Sequence, residues 1–517
     1  MKLNKVLLAS CCFLSSFVFA DNRQGEEYRP AFHFTPQQQW MNDPNGMVFL
    51  NGEYHLFYQY NPYGNTWGPM HWGHSVSKDL MKWEELPIAL FPDSNGAIFS
   101  GSAVYDKDNT SGFGVSGKAP LVAVFTYHDV LKENLGRSDF QNQGIAYSVD
   151  DGRTWQKYSS NPVLKSTTSK DFRDPKVIWY EPSKKWVMSL AVKNKISFYS
   201  SKDLKTWVHE SDFGENFGTH TGVWECPDLV AIDVQGSNTK KYVLLVSLNP
   251  GGINGGSATQ YFVGDFDGSK FTLDKKFSRQ RPQKVNGKET LSEWVDYGAD
   301  NYAGVTWSNL PEKNNRVISL GWMNNWDYAN KIPIEKWRGA TTLPRELTLV
   351  EKNDKFILKS FPVSETSSLV KSSIDIKKQS IKGDVELFDG KSNKFAQHIE
   401  LQLDSKKSKV LSFEIGSASE KSLLTINLNT HEVIFDRSSS GKKDFSDAFP
   451  RLQYAPFNSS GKRITIDFYI DKSSIEIFIN RGELAMTNQV FPTKAFTSFK
   501  VHSEEEVDLV NGRFDFF

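Results

Sequence analysis

Between about residue 28 and residue 345, apolar positions fall in short alternating runs broken by Gly, Pro, Asn and Asp, and nowhere keep the 3.6-residue period of a helix. The region reads as all-β. Its first hairpin is explicit: Met47-Val48-Phe49-Leu50 and the run from Tyr54 to Tyr60 flank Asn51-Gly52, a pair that two-residue hairpin turns favour. Just before it, Asn42-Asp43-Pro44-Asn45-Gly46 has almost no strand propensity, because Pro44 lacks an amide hydrogen and Asn45-Gly46 favours a tight turn. Asp43 is therefore expected in a turn at the hairpin's mouth.

A small pattern recurs in this region. Ser77-Lys78-Asp79-Leu80-Met81-Lys82-Trp83, Ser148-Val149-Asp150-Asp151-Gly152-Arg153-Thr154-Trp155 and Ser201-Lys202-Asp203-Leu204-Lys205-Thr206-Trp207 each end a strand in serine, turn on an acid and open the next strand with tryptophan. The tryptophans are 72 and 52 residues apart, which suits one four-stranded unit per repeat and about five β-propeller blades over residues 28–345. After Leu343-Pro344-Arg345-Glu346 the character changes, and residues 346–364 read as a linker. From 365 to 517 tryptophan is absent, and alternating segments such as Ile399–Leu403, Leu423–Leu428, Ile464–Ile470 and Ser474–Asn480 predict a β-sandwich whose strands have one buried and one wet face.

Charge excludes some partners. Lys plus Arg equals Asp plus Glu at 61 each, so neither nucleic acid nor a basic membrane-binding face is expected. Fourteen tryptophans exceed ordinary packing needs and hint at sugar stacking. Met1-Lys2-Leu3-Asn4-Lys5 followed by an apolar run from Val6 to Ala20 predicts a signal peptide over residues 1–20, hence a secreted or periplasmic protein. Leu8-Ala9-Ser10-Cys11 offers lipid anchoring at Cys11 as a lesser alternative. Cleavage after Ala20 removes Cys11 and Cys12, leaving Cys226 and no intramolecular disulfide; no later run is long enough for a transmembrane helix.

Three acids stand out by context: Asp43; Asp174 in Asp171-Phe172-Arg173-Asp174-Pro175; and Glu225 in Trp224-Glu225-Cys226-Pro227-Asp228. Taken singly, each is as well explained by a turn, a surface ion pair or strand filler. A propeller, however, brings the innermost strand of every blade to one axis, where acids distant in sequence can meet. Glycoside cleavage needs such a pair, one carboxylate as nucleophile or base and one carboxyl as acid. Arg173 is expected to keep its neighbour Asp174 ionised, and the apolar flanks of Glu225 to favour its protonated form. Cys226, next along a strand, is expected to face away as a buried small hydrophobe. Met41, Met70 and Met323 read as packing, and His71 and His74 as hydrogen-bonding residues without a third metal ligand.

Trp40-Met41-Asn42-Asp43-Pro44-Asn45-Gly46, Phe172-Arg173-Asp174-Pro175 and Trp224-Glu225-Cys226-Pro227-Asp228 together resemble the three signature motifs of glycoside hydrolase family 32, the β-fructofuranosidases. Tyr58-Gln59-Tyr60-Asn61-Pro62, Trp67-Gly68, His71-Trp72-Gly73-His74, Phe99-Ser100-Gly101-Ser102 and Gly321-Trp322-Met323-Asn324-Asn325-Trp326 add to the resemblance in order and spacing. It implies a five-bladed β-propeller followed by a β-sandwich, and a retaining mechanism. Asp43 would be the nucleophile and Glu225 the acid/base, while Asp174 would hold ring hydroxyls. Arg173, Asn42, Gln59, Trp67, Phe99, Ser102 and Trp326 would bind substrate. No metal or organic cofactor is implied. The region from Tyr63 to His74 looks more like exo-acting levanases and inulinases than yeast-type invertases, so release of terminal fructose from fructan, with sucrose also accepted, is the expectation. A sucrose-specific invertase, a fructosyltransferase and a noncatalytic fructan-binding protein are the alternatives.

Overall fold

Five antiparallel sheets stand in a ring, each beginning with a strand on the central axis. We describe them from a computed structural model covering residues 26–517, apart from residues 167, 279–282, 291, 312–314, 390–394, 406–407 and 458–460. The expected signal peptide, with Cys11 and Cys12, lies outside the described residues. The innermost strands are Gln39–Leu50, Ala97–Tyr105, Phe172–Tyr180, Val223–Asp233 and Tyr302–Thr306, one for each blade. Adjacent innermost strands touch all the way round. Closure comes from Trp337–Arg338, which leaves the fifth blade to pair in parallel with Gln39–Trp40 of the first.

The recurring serine, acid and tryptophan pattern is the turn between the third and fourth strands of blades one to three. In each, the carboxylate caps the turn: Asp79 accepts from the amides of Met81 and Lys82 at 2.9 and 2.7 Å, and Asp203 from those of Lys205 and Thr206 at 2.9 and 2.8 Å. Asp150 does the same for Thr154 at 2.9 Å. The tryptophan then bonds back: Trp83, Trp155 and Trp207 donate Nε1–H to the carbonyls of Leu80, Gly152 and Leu204 at 3.0, 3.0 and 3.1 Å. In blade four Asp267 caps the equivalent turn without a tryptophan, which is why the sequence repeat fades there.

The segment expected to be a linker is not one. Residues 346–364 contain most of Arg345–Lys352 and all of Lys355–Pro362, the outer two strands of the fifth blade, and their alternate residues Leu347, Leu349, Phe356 and Leu358 are buried.

Beyond it, two sheets share the long final strand Ser498–Phe516. One edge of that strand pairs with His398–Asp404 and Val410–Gly416, which begin the two sheets, and the other with Ser372–Ile376 and Gln379–Asp389. Ile399, Leu401 and Leu403, then Ile464, Ile466 and Phe468, are buried as their alternation predicts. Ser474–Ile479 departs from that expectation, since both of its faces are buried. Its polar face docks on the propeller: Glu476, fully buried, accepts from Arg345 and pairs with His33 at 2.6 Å, and Arg345 also donates to Asp296 at 2.7 Å. Arg437 makes a second such link to Asp300 at 2.5 Å and to the Tyr328 hydroxyl at 2.8 Å. Buried charges of this kind are tolerable only when every partner is present, so they fix the docking of the two domains.

Candidate active site

All five innermost strands carry a β-bulge near the start: between Met41 and Pro44, Ile98 and Gly101, Arg173 and Lys176, Glu225 and Asp228, and Tyr302 and Val305. A bulge places an extra residue on one strand and re-aims its side chains. Pro44, Pro175 and Pro227 sit in these bulges, where the missing amide hydrogen costs no ladder bond. The expected turn at Asn42-Asp43-Pro44 is therefore a bulged strand, and the same device recurs at the other two acids. Asp174, Cys226 and Ala303 take φ of 64°, 44° and 52°, a left-handed conformation rare outside glycine and often found at functional sites.

The bulges bring Asp43, Asp174 and Glu225 together around one cavity of about 320 Å³ at the end of the axis. Asn42, Gln59, Trp67, Phe99, Arg173 and Trp326 line it, as the sequence leads one to expect. Ser102 does not. It lies two residues further down its strand, where Oγ donates to the Pro175 carbonyl at 2.9 Å and accepts from the Val177 amide at 3.0 Å, clamping blade two to blade three. Ser100, raised by the bulge, takes the place at the cavity.

Asp43 is held from two sides, by Ser100 Oγ donating to Oδ2 at 2.9 Å and Asn42 Nδ2 donating to Oδ1 at 3.0 Å. The Trp40 indole donates to Asn42 Oδ1 at 2.7 Å and so turns the amide NH₂ toward the carboxylate. Asp174 accepts from the Cys226 amide at 3.0 Å, and its own amide donates to Thr126 Oγ1 at 3.0 Å. Cys226, expected to face away, instead puts Sγ 3.7 Å from Oδ2 of both Asp43 and Asp174, because the bulge breaks the alternation of the strand. Glu225 accepts from Arg173 Nη2 on Oε1 at 3.0 Å and from the Tyr302 hydroxyl on Oε2.

The electrostatics reverse one expectation. Arg173 approaches Glu225 closely and stands 3.9 Å from Asp174. Burial pushes the Asp174 carboxyl up to about 7 against the pull of Arg173, with the charges of Glu225 and Asp43 adding to the rise. Burial also raises Asp43, and the Glu225 charge adds to it, while the bonds from Asn42 and Ser100 oppose it. Burial alone would lower Arg173, but the carboxylates of Glu225, Asp174 and Asp171 outweigh it and hold the guanidinium charged.

Several residues here were not foreseen. Asp171 pairs with Arg173 at 2.6 Å; His128 stacks on Phe99 with ring centroids 4.2 Å apart and bonds Glu133 at 2.9 Å; Gln141, Phe140 and Asn249 complete the wall. Asp171 was legible beside Phe172-Arg173-Asp174, and Tyr302 as the start of the fifth innermost strand. Among the described residues no group of His, Cys, Asp and Glu side chains is placed to hold a metal ion.

A five-bladed propeller with three converging acids in an axial cavity, joined to a β-sandwich, is the architecture of a glycoside hydrolase. The chain matches the glycosyl hydrolases family 32 N-terminal domain over residues 33–360 and the family 32 C-terminal domain over residues 365–515, and it belongs to that family. It is 44% identical over 483 residues to the levanase of Bacillus subtilis (strain 168), spanning 92% of this chain and 68% of that protein. It is 38% identical over 498 residues to the extracellular exo-inulinase of Aspergillus awamori, spanning 90% of each. The crystal structure of an exo-inulinase from Aspergillus awamori superposes with a TM-score of 0.84 at 35% identity, covering 95% of this chain and 98% of that one.

Proposed function

We propose that the protein is a retaining, exo-acting β-fructosidase that removes terminal fructose from fructans, levan or inulin, and also hydrolyses sucrose. Asp43 attacks the anomeric C2 of the terminal unit, and Glu225 gives a proton to the departing oxygen. Glu225 then takes a proton from the water that releases fructose from Asp43. Asp174 binds ring hydroxyls, and Arg173, shared among Asp171, Asp174 and Glu225, fixes their relative positions. The observation that carries this reading is the convergence of the three acids on a cavity of about 320 Å³, near the lower limit for ligand pockets and suited to one furanose ring. A pocket for one ring favours cutting at chain ends. No helix among the described residues is long and apolar enough to cross a membrane, and the name of the Aspergillus awamori relative places that enzyme outside the cell; we infer export for this chain as well.

The test is incubation of the purified protein with levan, inulin and sucrose, with products resolved by size. Fructose alone, with glucose from sucrose, is expected, and Asp43→Ala or Glu225→Ala should abolish it. A ladder of fructo-oligosaccharides would overturn the exo reading, and transfer products in place of hydrolysis would favour a fructosyltransferase.

A further inference from the structure

The propeller axis has a second mouth, at the far ends of the innermost strands. There a cavity of about 380 Å³ opens. Its floor is polar: Lys176 Nζ donates to Asp228 Oδ2 at 2.9 Å and to the Thr306 carbonyl at 2.6 Å, and Asp228 Oδ2 also accepts from Thr306 Oγ1 at 2.9 Å. This buried knot links blades three, four and five and separates the two mouths. Its walls are aromatic. Tyr105, Trp179 and Tyr242, from three successive blades, each line the cavity half-buried, and the buried ring of Trp186 backs Trp179 edge-on at 4.9 Å. At the rim, Lys107 and Asp108 carry opposite charges, and the floor pair is neutral as a unit; Asp106, which also lines the cavity, is buried with its carboxylate taken up by the amides and hydroxyls of Thr110 and Ser111.

Aromatic walls around a small polar floor, with the buried carboxylates already hydrogen-bonded within the protein, match a ligand that has apolar C–H faces and many hydroxyls. We propose that this far mouth is a second carbohydrate site, taking one or two units of a neutral fructosyl sugar that stack on Tyr105, Trp179 and Tyr242. The sugar's identity rests on the function proposed above; the site itself does not, and the test separates the two.

The protein carrying Asp43→Ala, which cannot cleave, is titrated calorimetrically with sucrose and separately with fructose. Two sites are expected with sucrose. Adding Tyr105→Ala and Trp179→Ala should remove one of them and leave the other affinity within about twofold. The same pair of substitutions in the active protein should leave kcat/KM on sucrose within about twofold. Hydrogen exchange serves as a readout independent of those variants: sucrose should slow exchange in segments 105–109 and 176–179 of the Asp43→Ala protein. One site only, without protection at those segments, overturns the inference while leaving the catalytic reading intact; no sugar binding at all overturns both. Protection by fructose as well as sucrose would mark the site as one for a single ring, and protection by sucrose alone as one for two.

Discussion

At the residue scale, the acids differ less in identity than in surroundings. Asp43 is half-buried, held by two donors and lines the cavity, a setting that suits the nucleophile proposed above. Asp43→Ala is expected to lower kcat on sucrose by on the order of 10⁴-fold with the fold retained, checked by initial rates alongside circular dichroism. Asp174 allows a signed prediction. Its folded pKa of about 7 lies above the ordinary 3.8, so between those values the native state holds a proton that the unfolded chain releases. Stability from this group therefore falls as pH rises through that window. Asp174→Asn removes the slope: its melting temperature relative to the parent should be higher at pH 8 than at pH 4, while activity falls. An equal difference at both pH values would sink this assignment. The flanking residues singled out the three acids that meet at the cavity. The sequence could not show that Arg173 leans to Glu225, nor that Cys226 sits between two carboxylates, because both depend on bulges that pair one strand with its neighbour.

At the element scale, the innermost strands are one device used five times. Each bulges near the mouth, and Gly46 shows how little room the first one leaves. At φ of +53° a Cβ there would lie 2.7 Å from Phe57 and 2.8 Å from Trp72, both buried. Gly46→Ala should cost about 2 kcal/mol or more, read from chemical denaturation. The outer turns are more forgiving. Asp203→Ala loses the acceptor of two turn amides and should cost about 1 to 2 kcal/mol without altering KM, since the turn is remote from the cavity. Hairpin and turn chemistry are local, so Asn51-Gly52 and the three tryptophan turns could be read from the chain. A bulge is not local. Asn42-Asp43-Pro44 looks like a turn because its propensities are those of a turn, and only the ladder to Glu53–Asn61 makes it a strand. Ser102, which the resemblance assigns to the substrate, bonds to Pro175 and Val177 of the neighbouring blade, and Ser100 lines the cavity: depth along the axis is set by the adjacent blade.

For the whole molecule, the docking of the two domains carries its own pH dependence. His33 bridges Asp471 at 2.9 Å and Glu476 at 2.6 Å. Burial alone would lower its pKa, but these two carboxylates raise it to about 9. A cation favoured in the fold contributes stability that is fully present below about pH 6.5 and is lost as pH rises through 9. Asp471 and Glu476 are both lowered despite burial, mainly by His33 and by Arg345 respectively, so their share is present above the ordinary carboxylate range and lost at more acid pH. His33→Asn should flatten the alkaline limb of a melting-temperature profile between pH 6 and 10, measured by scanning calorimetry. An unchanged limb would show that His33 is not the titrating group.

The chain by itself determined the strands, the turn repeats, the change of character after Leu343-Pro344-Arg345-Glu346 and the three motifs that mark the acids. All of these are encoded by neighbours in sequence, through alternation, turn propensity and flanking residues. The tertiary structure alone decided that residues 346–362 complete the last blade, that the polar face of Ser474–Ile479 is buried against the propeller, and that Ser100 rather than Ser102 reaches the cavity. Each of those depends on which strand lies beside which. Register and docking are settled by strands that lie elsewhere in the sequence, on the same blade, on another blade or in the other domain, and no local pattern records them.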